Sequence, residues 1–97
     1  MASVYDARGI KRKVLAILRI LSQVEEPRSA RILSRQLEGK GIKLSERAVR
    51  YHLKLMDERG LTRRSGGKGR AITPQGREEL QVALVTDRLG LARHRGR

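Results

Sequence analysis

The chain has 97 residues, 38% hydrophobic and 34% charged, and its 23 Lys and Arg outnumber its 10 Asp and Glu to give a formal net charge of +13. That describes one domain with a thin core. The absence of Cys excludes a disulfide-stapled secreted scaffold and any site built on thiolate ligands. No apolar run approaches the roughly 20 residues of a membrane span, and no signal-peptide pattern is present. The expectation is a soluble, cytoplasmic domain with no membrane association. Its excess of positive charge points to a polyanionic partner, with nucleic acid first.

Residues 1–8 carry no strong pattern and are expected to form a flexible segment. From residue 9 the periodicity becomes helical. Ile10, Val14, Ile17, Leu18 and Leu21 fall on one face, with Lys11, Arg12, Lys13 and Arg19 mainly on the others. Glu25-Glu26-Pro27 is expected to end this helix, because the residue before a proline is pushed away from helical angles. A second helix starts at the cap residue Ser29, with Ala30, Leu33 and Leu37 as its apolar stripe. Gly39-Lys40-Gly41 stops it, and Ile42 and Leu44 are expected to tuck into the core.

A third helix starts at Ser45. Val49, Leu53 and Met56 are spaced to face inward, and Gly60 suits the left-handed position just past the helix end. Two helices joined by a short glycine-bearing turn make a helix-turn-helix. Leu61-Thr62-Arg63-Arg64 and Arg70-Ala71-Ile72-Thr73 then read as two short strands around the turn Ser65 to Gly69. Thr73 and Pro74 fit the cap and first position of a fourth helix, with Leu80, Ala83, Leu84 and Leu89 on its buried side. Residues 90–97 form an Arg- and Gly-rich tail, expected to be flexible. The predicted fold is mostly α with a small β-hairpin: a winged helix-turn-helix with a three-helix core, a wing and a C-terminal helix, spanning residues 9–89.

This order suits DNA. A major groove admits one α-helix, which must present polar and charged side chains outward. With Val49, Leu53 and Met56 inside, Arg47, Arg50, Tyr51 and Lys54 are expected outside. Arginine can grip the O6/N7 edge of guanine with two hydrogen bonds. Ser45 brings a hydroxyl and free backbone amides to the helix start, where a phosphate can dock. In the wing, Arg63, Arg64, Lys68 and Arg70 surround a glycine-rich tip that can approach a phosphate backbone closely. Arg31 is a further candidate phosphate contact, and Lys11-Arg12-Lys13 a further basic patch.

Each feature alone has a plainer reading, since an Arg-rich helix face is often only solvated and a Gly-rich turn is often only a hairpin. Their coincidence with the net charge favours nucleic acid. His52 is expected to be structural, at the edge of the core, because no second His, Cys or acid is placed to share a site with it. Asp57 and Glu58 read as surface charges. The sequence offers no nucleophile–base pair, no metal-ligand spacing and no phosphate-cradling Gly-Lys-Ser/Thr motif, so no enzyme activity, metal or cofactor is expected.

The segment from Ser45 to Thr62, with Val49-Arg50-Tyr51-His52-Leu53-Lys54 and Asp57-Glu58-Arg59-Gly60-Leu61-Thr62 as its most specific parts, resembles a known family. It is similar to the winged-helix domain at the N-terminus of ribonuclease R and of archaeal nitrogen-regulator repressors of the NrpR type. Ala30 to Leu37, Gly69 to Thr73, Gly76 and Glu79-Leu80 extend the resemblance over about residues 10–88. Asp87-Arg88-Leu89-Gly90-Leu91 looks like the start of the segment that leads into the repressors' effector-sensing region, which makes that type the nearer. The resemblance implies a DNA-binding domain of a transcriptional repressor, a recognition helix over residues 45–59, and a homodimer. Uncovered apolar residues at Ile20, Val82, Val85 and Leu91 are consistent with pairing of two copies. The repressors' effector-binding region has no counterpart in these 97 residues, so effector sensing is not carried over. An RNA-associated accessory module and a protein-interaction winged helix are the alternatives. A double-stranded RNA groove is too narrow for a helix, and with only Tyr5 and Tyr51 the chain lacks the aromatics of a single-strand binder.

Overall fold

A computed structural model of the protein describes residues 7–89, with side chains from residue 9 to residue 86. Four helices and one hairpin follow in the order α1 (Ala7–Ser22), α2 (Ala30–Gly39), α3 (Glu46–Glu58), β1 (Thr62–Arg64), β2 (Arg70–Ile72) and α4 (Pro74–Leu89). This is the expected mostly helical winged helix-turn-helix. The flexible segment and tail expected at the two ends fall largely outside the described residues, as do the side chain of Leu89 and all of Leu91.

The cap residues perform their local task. Ser29 Oγ accepts the Ile32 amide at 3.2 Å, and Ser45 Oγ accepts the Ala48 amide at 3.1 Å. Each fills one of the donors that a helix start leaves without an intrahelical partner. Both helices of the turn motif also end alike. After α2, Gly41 (φ +84°) lets its own amide reach Glu38 O and the Ile42 amide reach Leu37 O. After α3, Gly60 (φ +79°) does the same, with its amide on Asp57 O and the Leu61 amide on Met56 O. These paired bonds define a Schellman motif, in which the residue after the glycine is turned back onto the helix. Leu61 is accordingly buried and Ile42 packs against the core.

One apolar cluster unites the elements. Ile17, Leu18, Ile20 and Leu21 from α1 meet Leu33 and Leu37 from α2 and Val49, Leu53 and Met56 from α3. Leu61, Ile72 and Leu80 close it beneath the hairpin and α4. Ile20 departs from the reading as an uncovered residue: it is 3% exposed and belongs to the core cluster, where α2, β2 and α4 pack on α1. Helix α1 also ends earlier than Pro27 requires. Ser22 Oγ donates to the Arg19 carbonyl at 2.7 Å and the Gln23 amide turns back onto Ile20 O, which tightens the last turn.

The chain freed by that early stop has a use. Arg28 pairs through its backbone with Arg70, amide to carbonyl in both directions at 2.9 Å. The hairpin, with Thr62 opposite Ile72 and Arg64 opposite Arg70, therefore gains a one-residue third strand from the α1–α2 connector. The sequence carries no local signal for this bridge. The bridge explains Gly69: a Cβ there would lie 2.2 Å from the Arg28 carbonyl oxygen, at a φ of +110° that side chains rarely adopt. At the other end of β2, Thr73 Oγ1 donates to Gly60 O and accepts from the Gly76 amide, capping α4 and tying its start to the end of α3.

Candidate nucleic-acid interface

Helix α3 divides cleanly by burial. Val49, His52, Leu53 and Met56 are buried, whereas Arg47, Arg50, Tyr51 and Lys54 are exposed. The exposed four stand at i, i+3, i+4 and i+7, so they share one face. Tyr51 is 58% exposed, unusual for an aromatic ring, and packs edge-on to His52 with 5.9 Å between ring centroids. Ser45 is exposed at the helix start, its hydroxyl oxygen engaged by the Ala48 amide. Arg50 donates to Glu46 one turn earlier, an exposed pair within the same helix. Arg31, in the first turn of α2, is exposed.

Two wing arginines, Arg63 and Arg64, point to solvent, as does Lys68 in the turn. Arg70 differs. Its Nε donates to Asp57 at 2.8 Å, and its side chain is only 18% exposed. Asp57 also accepts from Thr62 Oγ1 at 2.7 Å, so one carboxylate at the end of α3 ties down both strands of the hairpin. Asp57 is therefore not the plain surface charge its position suggested, and Arg70 is held inward while its neighbours are free. A signal for this was present in the sequence. A carboxylate in the last turn of a helix opposes the negative end of the helix dipole, so it calls for a cationic or hydrogen-bonding partner.

His52 sits at the rim of the core, 8% exposed, and its Nδ1 has no hydrogen-bond partner. Burial lowers its pKa below the usual histidine value, and the Lys13 ammonium on α1 lowers it further. The imidazole is thus held neutral, as a packing residue. Among the described residues no group of three or more His, Asp or Glu is placed to hold a metal ion.

The geometry collects most of the residues expected to meet DNA. Arg47, Arg50, Tyr51 and Lys54 lie on one helix face, and Asp57 anchors the base of the wing bearing Arg63, Arg64 and Lys68 to the end of that helix. Against known proteins, the family described as the ribonuclease R winged-helix domain matches residues 15–80. The chain is 43% identical over 81 residues to the global nitrogen regulator NrpRI of Methanosarcina mazei. It is 49% identical over 81 residues to NrpR of Methanocaldococcus jannaschii and 47% over 74 residues to NrpR of Methanococcus maripaludis. These alignments cover 84%, 84% and 76% of this chain but 25%, 15% and 14% of the relatives, so the chain spans a quarter or less of their length. No solved structure matches.

Proposed function

The chain belongs to the ribonuclease R winged-helix domain family, and from that premise we propose that it is a double-stranded DNA-binding transcriptional regulator, acting as a repressor. The observation that carries this is the exposed face of α3. Arg47, Arg50, Tyr51 and Lys54 stand outward on a helix whose opposite side is fully packed. That is the form a major-groove reader needs. Arg50 and Arg47 read base edges, Lys54 and Tyr51 reach phosphate or base, and Ser45 and Arg31 meet phosphates near the helix starts. Arg63, Arg64 and Lys68 neutralise the backbone alongside. Arg70 contributes by holding the wing in position.

The relatives are named global nitrogen regulators, which favours regulation over a role in RNA turnover. No described helix is long and apolar enough to cross a membrane. The protein acts as a homodimer in this reading. Val82 and Val85, one turn apart on the outer side of α4, are 59% and 38% exposed and offer an apolar strip for a second copy. Sedimentation at micromolar concentration would show a dimer, and a monomer alone would remove this part.

The deciding experiment is selection of bound sequences from a random duplex pool, followed by titration of the selected duplex across salt concentrations. The expected result is a defined motif and a log–log slope of magnitude at least about 4, roughly 0.9 for each phosphate neutralised by the outward cations of α2, α3 and the wing. An unenriched pool would sink sequence-specific regulation. Equal competition by duplex RNA would favour an RNA-associated module.

A further inference from the structure

The wing lies at the C-terminal end of α3, and a second cationic cluster lies at the other end. Between the first turns of α1 and the α2–α3 turn is a shallow depression of about 150 Å³, lined by Gly9, Arg12, Lys13, Gly41 and Ile42. It brings together two segments distant in sequence. Of its lining cations Arg12 is exposed and Lys13 half-buried, and Lys40 and Lys43, which flank Gly41-Ile42 in the chain, are exposed. The two glycines present no side chain, and a Cβ on Gly41 would meet nothing within 4 Å, so the hollow stays open. Among the described residues the ion pairs are Glu46–Arg50 and Asp57–Arg70, so none of these four cations is neutralised by a carboxylate. Ser45 follows directly, adding the positive end of the α3 dipole.

We propose that Arg12, Lys13, Lys40 and Lys43 form a second phosphate-docking patch, which takes the DNA strand opposite the one the wing follows. The inference rests on the DNA-binding reading and extends it. Helix α3 has 13 residues and is about 20 Å long. The major groove is about 12 Å wide. A helix seated in it with cations at only one end would hold one wall of the groove. With cations at both ends it meets both walls, and its register along the duplex becomes fixed. The basic start of α1 and the basic turn that leads into α3 meet at this one hollow, so their cations come from two segments brought together by the fold.

The test uses the full chain and a 24-base-pair duplex of mixed sequence. Two double variants, Arg12→Gln with Lys13→Gln and Lys40→Gln with Lys43→Gln, remove the patch from each element separately. Each is expected to lower the magnitude of the log affinity–log salt slope by about 1.8, two phosphate contacts' worth. Combined with a wing variant, Arg63→Gln with Lys68→Gln, the losses should add, because the two patches hold different strands at once. Wild-type slopes in both patch variants would overturn the proposal while leaving the DNA reading intact. Clearly less than additive losses would overturn the two-strand arrangement. A wild-type chain with no salt-dependent duplex binding would overturn the DNA reading itself, and this patch with it.

Discussion

At the start of α3, Glu46 reaches one turn forward to Arg50, and both side chains remain largely in solvent, 40% and 68% exposed. At its end, Asp57 reaches out of the helix to Thr62 and Arg70, and the ion pair is mostly enclosed, 24% and 18% exposed. The chemistry is the same in both places, a carboxylate beside a guanidinium, but the environment assigns the work. In water the pair contributes little to stability, and the arginine can leave its partner for a better one. Half-enclosed, the pair fixes the position of a hairpin, and its arginine is no longer free for a ligand. Exposure therefore separates Arg50, which a ligand can still engage, from Arg70, which holds the hairpin on α3.

The sharpest way to break that distinction is Asp57→Ala. It removes the acceptor of two hydrogen bonds, one of them charge-assisted, and strands the enclosed Arg70 guanidinium. A loss of about 2–3 kcal/mol in unfolding free energy is expected, measured by chemical denaturation. Arg70→Ala should approach the same value. If both variants prove neutral, the pair at the end of α3 is no more structural than the pair at its start. Arg50→Ala should reverse the pattern. Its effect on folding should be slight, whereas discrimination between the selected duplex and a scrambled one should fall by about 2 kcal/mol. A uniform loss over both duplexes would make Arg50 a phosphate contact.

The distinction also marks what could be read from the sequence. Caps at Ser29, Ser45 and Thr73 and the stop at Gly60 were legible because each is a bond between residues three or four apart. The inward set Val49, Leu53 and Met56 and the outward set Arg47, Arg50, Tyr51 and Lys54 followed from the helical period alone. What escaped was set by contacts between distant segments. Arg28 joins Arg70 through a single backbone bridge, which has no local signature. Ile20 looks uncovered until the later elements that pack on α1 are in place. Arg70 and Arg64 stand opposite each other in the hairpin and look alike in sequence, yet only Arg70 comes within reach of Asp57.

Between the two ends of α3 lies His52, where enclosure acts on a group with no counter-charge. Its folded pKa is lowered by burial and then by Lys13, so below about pH 6.5 the unfolded chain takes up a proton that the folded chain resists. Its contribution to stability is complete above that pH. It declines as the pH falls through 6.5 and levels off below the lowered folded value. Denaturation midpoints measured between pH 8 and 5 should follow this course. In His52→Gln the part of the slope near pH 6.5 should vanish, and its persistence would assign the effect elsewhere.

The smallest expected change in folding is also the most informative about the start of α3. Glu46→Gln removes an exposed i,i+4 pair and should cost folding only about 0.3–0.5 kcal/mol. Binding should respond differently. Glu46 is an acid in the first turn of α3, on the face proposed to meet DNA, and it holds Arg50 until something displaces it. Without its negative charge, affinity for a scrambled duplex should rise at low salt, because a repulsion near the backbone is gone. Affinity for the selected duplex should rise less, because Arg50 then arrives unaligned and pays the ordering cost on binding. The ratio of the two affinities should therefore fall while the melting temperature hardly moves. An unchanged ratio would leave the Glu46–Arg50 pair as an incidental surface contact with no part in aligning Arg50.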